Sequence, residues 1–250
     1  MGEKGIIISG KFSEIVVRQK HGIDIELGEL MISESKESKH LMQVYDLVFG
    51  SQLSDSNLEL VSGMKLEEDS SYNLMDEKIR HYNLALLKNL ITINKTKTIS
   101  SKSLPKFFSN VREVNKEDLN FLTTPKNPLY VGNLRSGSKT LDVDIFLPGK
   151  KVFSHHILIP ATTGRGKSNL ASVILWSMMK QDYAGILVLD PHDEYYGHNK
   201  LGLKDHPKKE NLIYYTPKNP PAGQRSLKIN LKQIKPSHFH GATEWSPAQR

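Results

Sequence analysis

The sequence predicts an α/β chain in two parts. An N-terminal all-β domain, read as a small β-barrel, precedes an incomplete P-loop NTPase domain. Three observations carry this reading. The first 50 residues hold short β-branched runs separated by Gly and Ser turns, a glycine-rich Lys-Ser run fills residues 161–168, and helical spacing follows it directly. The composition changes near Pro125, which sets the expected domains at 1–124 and 125–250.

Residues 5–9, 14–18 and 23–32 are the first candidate strands, punctuated by Ser9-Gly10-Lys11 and His21-Gly22. Strict alternation from Ile23 to Leu27 predicts Ile23, Ile25 and Leu27 on one buried face. A fourth candidate covers residues 40–50, with Leu41, Val44, Leu47 and Val48 as its apolar positions. Residues 54–64 suit a helix with Leu58 and Val61 inward. Met75, Ile79, Tyr82 and Leu86 then fall at i, i+4, i+7 and i+11, predicting one face of a second helix. Residues 84–93 return the chain to a strand, and the polar, basic run 94–103 reads as a loop or hinge. Beyond Pro125, runs 129–134 and 141–147 flank Arg135-Ser136-Gly137-Ser138-Lys139 as a hairpin, and 156–159 forms a further strand.

Composition narrows the chemistry. The chain has no cysteine, which excludes a disulfide scaffold, thiolate metal sites and a cysteine nucleophile. No run approaches the roughly 20 apolar residues of a membrane helix. The first residues lack a signal-peptide pattern, so the expected setting is cytoplasmic, with no membrane partner. The net charge of +7 is uneven: residues 101–250 carry 22 Lys and Arg against 12 acids, residues 1–100 carry 12 against 15. That excess suits a polyanionic partner, with a lysine-rich solubilising surface as the alternative. Only 7 of the 34 cations are Arg, which argues against specific base reading.

Residues 161–168 read Ala-Thr-Thr-Gly-Arg-Gly-Lys-Ser and satisfy the P-loop pattern except at its first position, where Ala161 replaces Gly. A phosphate chain needs several donors with no bulky side chain in the way. Gly164 and Gly166 let successive N–H groups turn inward as a nest. Lys167 offers a movable positive charge, and the Ser168 hydroxyl suits Mg²⁺. Leu170, Val173, Ile174, Ser177 and Met178 keep helical spacing, so the loop opens a helix whose N-terminus favours anions. The run 185–189 then predicts a strand, which ends in Asp190-Pro191-His192-Asp193-Glu194-Tyr195-Tyr196. Ligands of open α/β sheets sit beyond the carboxyl ends of strands. Asp190 or Glu194 is therefore a candidate to hold a metal-bound water or to orient the attacking one, unless Asp190 only forms a turn with Pro191. His192 and His198 read as solvated loop residues.

The cradle followed by Asn169, with Asp190-x-His192-x-Glu194-Tyr195-Tyr196 at the next strand end, resembles the HerA family of DNA translocases and helicases within the HerA/FtsK group of P-loop ATPases. Ala at the first cradle position is common in that family. The early strands, with Ile25-Glu26-Leu27-Gly28-Glu29 and the strand near Val44, are similar to its HAS-barrel. The resemblance implies a RecA-like motor domain, ATP and Mg²⁺ as cofactors, double-stranded DNA as partner, a homo-hexameric ring and docking of a NurA-type nuclease on the barrel. It places Thr162, Thr163, Gly164, Arg165, Gly166, Lys167, Ser168 and Asn169 on the nucleotide. Lys167 and Glu194 would be catalytic, Ser168 and Asp190 metal-side groups, and a neighbouring subunit's arginine would complete hydrolysis.

Only runs 185–189, 211–215 and 227–231 follow the cradle as strand candidates, fewer than a RecA-like core needs. Ser246-Pro247 reads as a helix start. The expectation is thus the N-terminal portion of a longer protein. Two other functions compete: a non-catalytic module that docks a partner or binds DNA, and a P-loop ATPase of conjugation or secretion type.

Overall fold

A computed structural model describes residues 2–36, 38–67, 81–94, 97–198 and 200–239. The chain divides into two compact units, Met1–Gly149 and Lys150–Arg250.

The first unit is built on a closed barrel. Its strands are β1 (Glu3–Lys11), β2 (Glu14–Gln19), β3 (Leu30–Glu34), β4 (Ser38–Ser51), β5 (His81–Asn94), β6 (Thr98–Ser100) and β7 (Asn110–Glu113). They form one antiparallel sheet in the order β2-β1-β7-β3-β4-β5-β6, and β2 also pairs with β5. Six strands thereby close a ring, with β6 attached to β5 outside it. Closure leaves no open edge around the ring, which removes the usual aggregation hazard of a sheet.

Alternating side chains fill the interior. Ile7, Ile15, Val17, Ile25, Met31, Met42, Val44, Ala85, Leu87 and Val111 form the core. A second cluster lies on the other face of β3 and β4, where Leu30, Ile32, Leu41, Val114 and Leu119 are buried. It is covered by Leu134, Leu141 and Val143 from the hairpin of β8 (Pro128–Ser136) and β9 (Lys139–Pro148). β3 is therefore buried on both faces and reads Leu-Met-Ile with no polar alternation. The Leu30 amide donates to Ser136 Oγ at 2.8 Å, tying the hairpin to the barrel.

One buried carboxylate links three pieces of this unit. Asp118, in the 3₁₀ turn Glu117–Leu119, accepts a two-pronged bond from Arg112 on β7 at 2.7 and 3.0 Å and one from Lys39 on β4 at 2.9 Å. The Asn115 amide adds a bond at 3.1 Å. Burial opposes ionisation of Asp118, but these donors outweigh it and hold its carboxyl at about 2.

Several expectations need correction. Ile25 is buried, but Ile23 to Leu27 joins no ladder and Leu27 is exposed, because the segment turns at Gly28 before β3 begins. Residues 54–64 do form a helix, α1 (Asp55–Glu67). Of the second helical face, Tyr82 and Leu86 lie in β5, where pairing with β4 and β2 overrides the spacing; Met75 and Ile79 lie outside the described residues. The 94–103 run includes β6. The expected helix start at Ser246 also lies outside the described residues.

The second unit holds α3 (Lys167–Met178), after the short α2 (Gly149–Val152) at the junction. Runs 156–159 and 185–189 are not in ladders, and Leu158, Leu187 and Leu189 are exposed. A strand needs a second segment alongside, and among the described residues none pairs with either run. Of the 211–215 candidate only Tyr215 enters a strand, β10 (Tyr215–Thr216), which pairs in parallel with β11 (Arg225–Ser226); the 227–231 candidate lies beyond β11 and joins no ladder.

Because Asp118 ionises more readily in the folded chain, its contribution is fully present above about pH 4, its unfolded range, and is lost as pH falls towards 2. Acid titration of thermal stability should show a loss of about 2 kcal/mol from this group across that window. Asp118→Asn should be less stable at neutral pH and should lack that part of the acid dependence.

Candidate nucleotide site

Backbone geometry builds the candidate cradle in the second unit. Gly164 and Gly166 sit at φ +78° and +84°, left-handed values that an L side chain resists. The Arg165 amide closes a tight turn onto Thr162 O at 3.2 Å. Gly166 is the N-cap residue of α3 and carries no side-chain cap. The first ladder bond runs from the Leu170 amide to Gly166 O at 2.9 Å. The amides of Lys167, Ser168 and Asn169 therefore precede the ladder, at the positive end of the helix dipole.

Residues 161–167 and Asn169 are exposed and Ser168 is half-buried, so the loop is open to a ligand. The far end of α3 is anchored: Met178 is buried and its Sδ accepts the Tyr183 hydroxyl at 3.0 Å, while Trp176 meets the His206 ring edge-on. This arrangement can bind an anion through backbone dipoles, with Lys167 supplying charge. The Ser168 oxygen fits Mg²⁺, which commonly takes one or two protein oxygens and completes its shell with phosphate and water. Among the described residues no group of three or more His, Asp or Glu could hold a metal by itself.

The acidic loop has its own architecture. Asp190 accepts the Tyr195 amide on Oδ2 at 3.1 Å, and its carbonyl accepts the Asp193 amide at 3.3 Å. Asp193 sits at φ +56°. Its carboxylate accepts the Tyr214 hydroxyl at 3.0 Å and pairs with His198 Nε2 at 2.7 Å. Tyr196 stacks on Tyr214 with ring centres 4.2 Å apart. Burial and then the Asp193 carboxylate push the Tyr214 phenol up. Glu194 is exposed at the loop's outer side.

Residues 162–169 thus come together as one local structure, and Asp190 with Glu194 as another. Among the described residues no hydrogen bond or ion pair joins the two. Asp190 does form the turn that its sequence allowed. His198 is an exposed loop residue, as read, and it also contacts Asp193 and Tyr214. Asp193 and Tyr214 went unnoticed because their contact spans 21 residues and no motif marks it. A cavity of about 970 Å³ lies elsewhere, in the barrel unit between α1 and the strand ends around Arg18, His81 and Tyr82. That cavity lies outside the P-loop pattern, so the cradle remains the better candidate for a nucleotide.

Residues 129–249 match the family model described as Helicase HerA, central domain, which spans both the cradle and the acidic loop. That segment, just under half of the chain, is similar to the HerA central domain. It is 27% identical over 199 residues to the DNA double-strand break repair helicase HerA of Saccharolobus solfataricus, covering 78% of this chain and 36% of that protein. A probable DNA double-strand break repair helicase HerA of Methanocaldococcus jannaschii is 34% identical over 87 residues, 35% of this chain and 16% of that protein. A probable helicase of the same organism is 24% identical over 191 residues, 73% of this chain and 35% of its own length. The chain therefore aligns with about a third, or less, of each of these relatives. No helix among its described residues is long and apolar enough to cross a membrane.

The positive φ of Asp193 separates two effects. Asp193→Ala loses the contacts to His198 and Tyr214 and keeps the backbone cost, while Asp193→Gly loses the same contacts and relieves that cost. The Gly variant should be the more stable of the two by about 1 kcal/mol in thermal denaturation.

Proposed function

We propose that this chain forms part of an ATP-driven motor of the HerA type that moves double-stranded DNA during end processing. The observation that carries the reading is the glycine-built cradle at the head of α3, inside the segment that matches the HerA central domain. The names of the relatives, DNA double-strand break repair helicases, support DNA as the partner.

In this reading the backbone amides of residues 164–169 hold the phosphates of ATP, and Lys167 balances charge that builds on the terminal phosphate. Ser168 and Asp190 would hold Mg²⁺, which would supply further charge neutralisation at the phosphates. Glu194 orients the attacking water, and its exposed position leaves it open to do so once nucleotide is present. The nucleotide completes the helix N-terminus, whose dipole is already aimed at it. Hydrolysis in a six-membered ring would draw on a neighbouring subunit's arginine. The barrel is the natural platform for a nuclease of the NurA type, and the setting is cytoplasmic.

Lys167→Ala in the full-length protein should lower DNA-stimulated ATP hydrolysis by on the order of 10²-fold, with the barrel unchanged by circular dichroism. Undiminished DNA-stimulated turnover in that variant would overturn the assignment.

A further inference from the structure

Residues 78–112 contain eight Lys and Arg and no acidic residue, although the first hundred residues as a whole are net acidic. The described part of this stretch forms β5, β6 and a strap, residues 101–109, that leads into β7. The strap is pinned at both ends. Asn89 Nδ2 on β5 donates to Ser103 O at 3.0 Å, and the Phe108 amide donates to Ile7 O on β1 at 2.9 Å. In the ring, β5 and β1 are the two neighbours of β2. The strap therefore crosses the barrel end where the β1–β2 turn carries Phe12.

Pro105 is buried beneath the strap, whereas Lys102, Leu104, Lys106, Phe107 and Phe108 face solvent. Phe12, Phe107 and Phe108 are 51%, 60% and 66% exposed. The rings of Phe107 and Phe108 meet edge-on, 4.4 Å between centres. Phe108 sits at φ +60°, a backbone state that a bulky residue adopts only under local constraint. Such constraint usually serves to bury a ring; here it holds one in water.

Phenylalanine rings beside lysines, on a strap that itself carries no acid, fit a strand whose bases are free to stack and whose phosphates seek cations. A duplex hides its base faces, so the rings would gain nothing from it. The apolar centre of a protein interface generally excludes lysine, whereas Lys102 and Lys106 are exposed on the same strap, just ahead of the two rings. We propose that the strap and Phe12 bind single-stranded DNA, by base stacking on the rings and phosphate contact with the lysines. The choice of DNA over RNA rests on the function proposed above; the binding itself does not.

The test uses the 250-residue chain without nucleotide, so its outcome is independent of the cradle. Binding of a labelled oligothymidylate of about 20 nucleotides is compared with an oligouridylate and a duplex of the same length. Phe107→Ala with Phe108→Ala should weaken oligothymidylate binding roughly tenfold or more and leave its salt dependence unchanged. Phe108→Gly, which suits the positive φ and keeps the strap folded, should weaken it as well. Lys102→Gln with Lys106→Gln should flatten the log–log salt slope by about 1.4, from two lost phosphate contacts. The proposal fails if the wild-type chain does not bind oligothymidylate, if it prefers the duplex, or if the Phe variants bind as wild type. It fails equally if those variants change only the oligomeric state, which would make the strap a protein contact. A preference for oligouridylate would overturn the DNA assignment and keep the strap as an RNA site. None of these outcomes bears on ATP hydrolysis.

Discussion

β2 is hydrogen-bonded along both of its edges, to β1 on one side and to β5 on the other, and this double pairing turns a row of strands into a ring. Everything else in the first unit follows from that closure. The interior becomes a sealed space that Met31, Met42 and their neighbours must fill. The outer face of β3 and β4 is left apolar and is covered by the β8–β9 hairpin. The two ends of the ring remain accessible: α1 and the cavity beside it occupy one, the strap the other. Asp118 works within this frame, holding β4, β7 and the following turn in register through charge-assisted bonds.

The second unit relies on backbone conformation more than on a core. Two left-handed glycines shape the turn that opens α3, and the helix is fixed from its far end by Met178, Trp176 and Tyr183. The acidic loop is held differently, by a side-chain clamp across Asp193, His198 and Tyr214. One site is thus shaped by what glycine permits, the other by what a carboxylate can gather.

The legible parts of this chain were those with short-range rules. The P-loop pattern, the helix after it, the β8–β9 hairpin and α1 each declare themselves within about twenty contiguous residues. The β1 and β2 runs were legible for the same reason. Failures came where distant segments decide. Tyr82 and Leu86 keep a helical spacing but lie on β5, because β4 and β2 supply ladders on both of its sides. Leu27 alternates correctly with Ile25, yet the chain turns at Gly28 and leaves it in water. The 156–159 and 185–189 runs have strand composition, and composition alone cannot supply a neighbour. The contact of His198 with Tyr214 spans sixteen residues, and no local spacing encodes it.

Ring closure also sets the order in which the chain can fold as it is made. β1 pairs with β7, so that Glu3 lies opposite Arg112 and Gly5 opposite Val111. When β1 and β2 leave the ribosome they can form a hairpin, but the far edge of β1 has no partner until β7 follows, roughly a hundred residues later. Loop closure over that distance is slow compared with hairpin formation. For the intervening time a strand edge rich in isoleucine stands open, and a nascent chain in that state is a natural client for a chaperone.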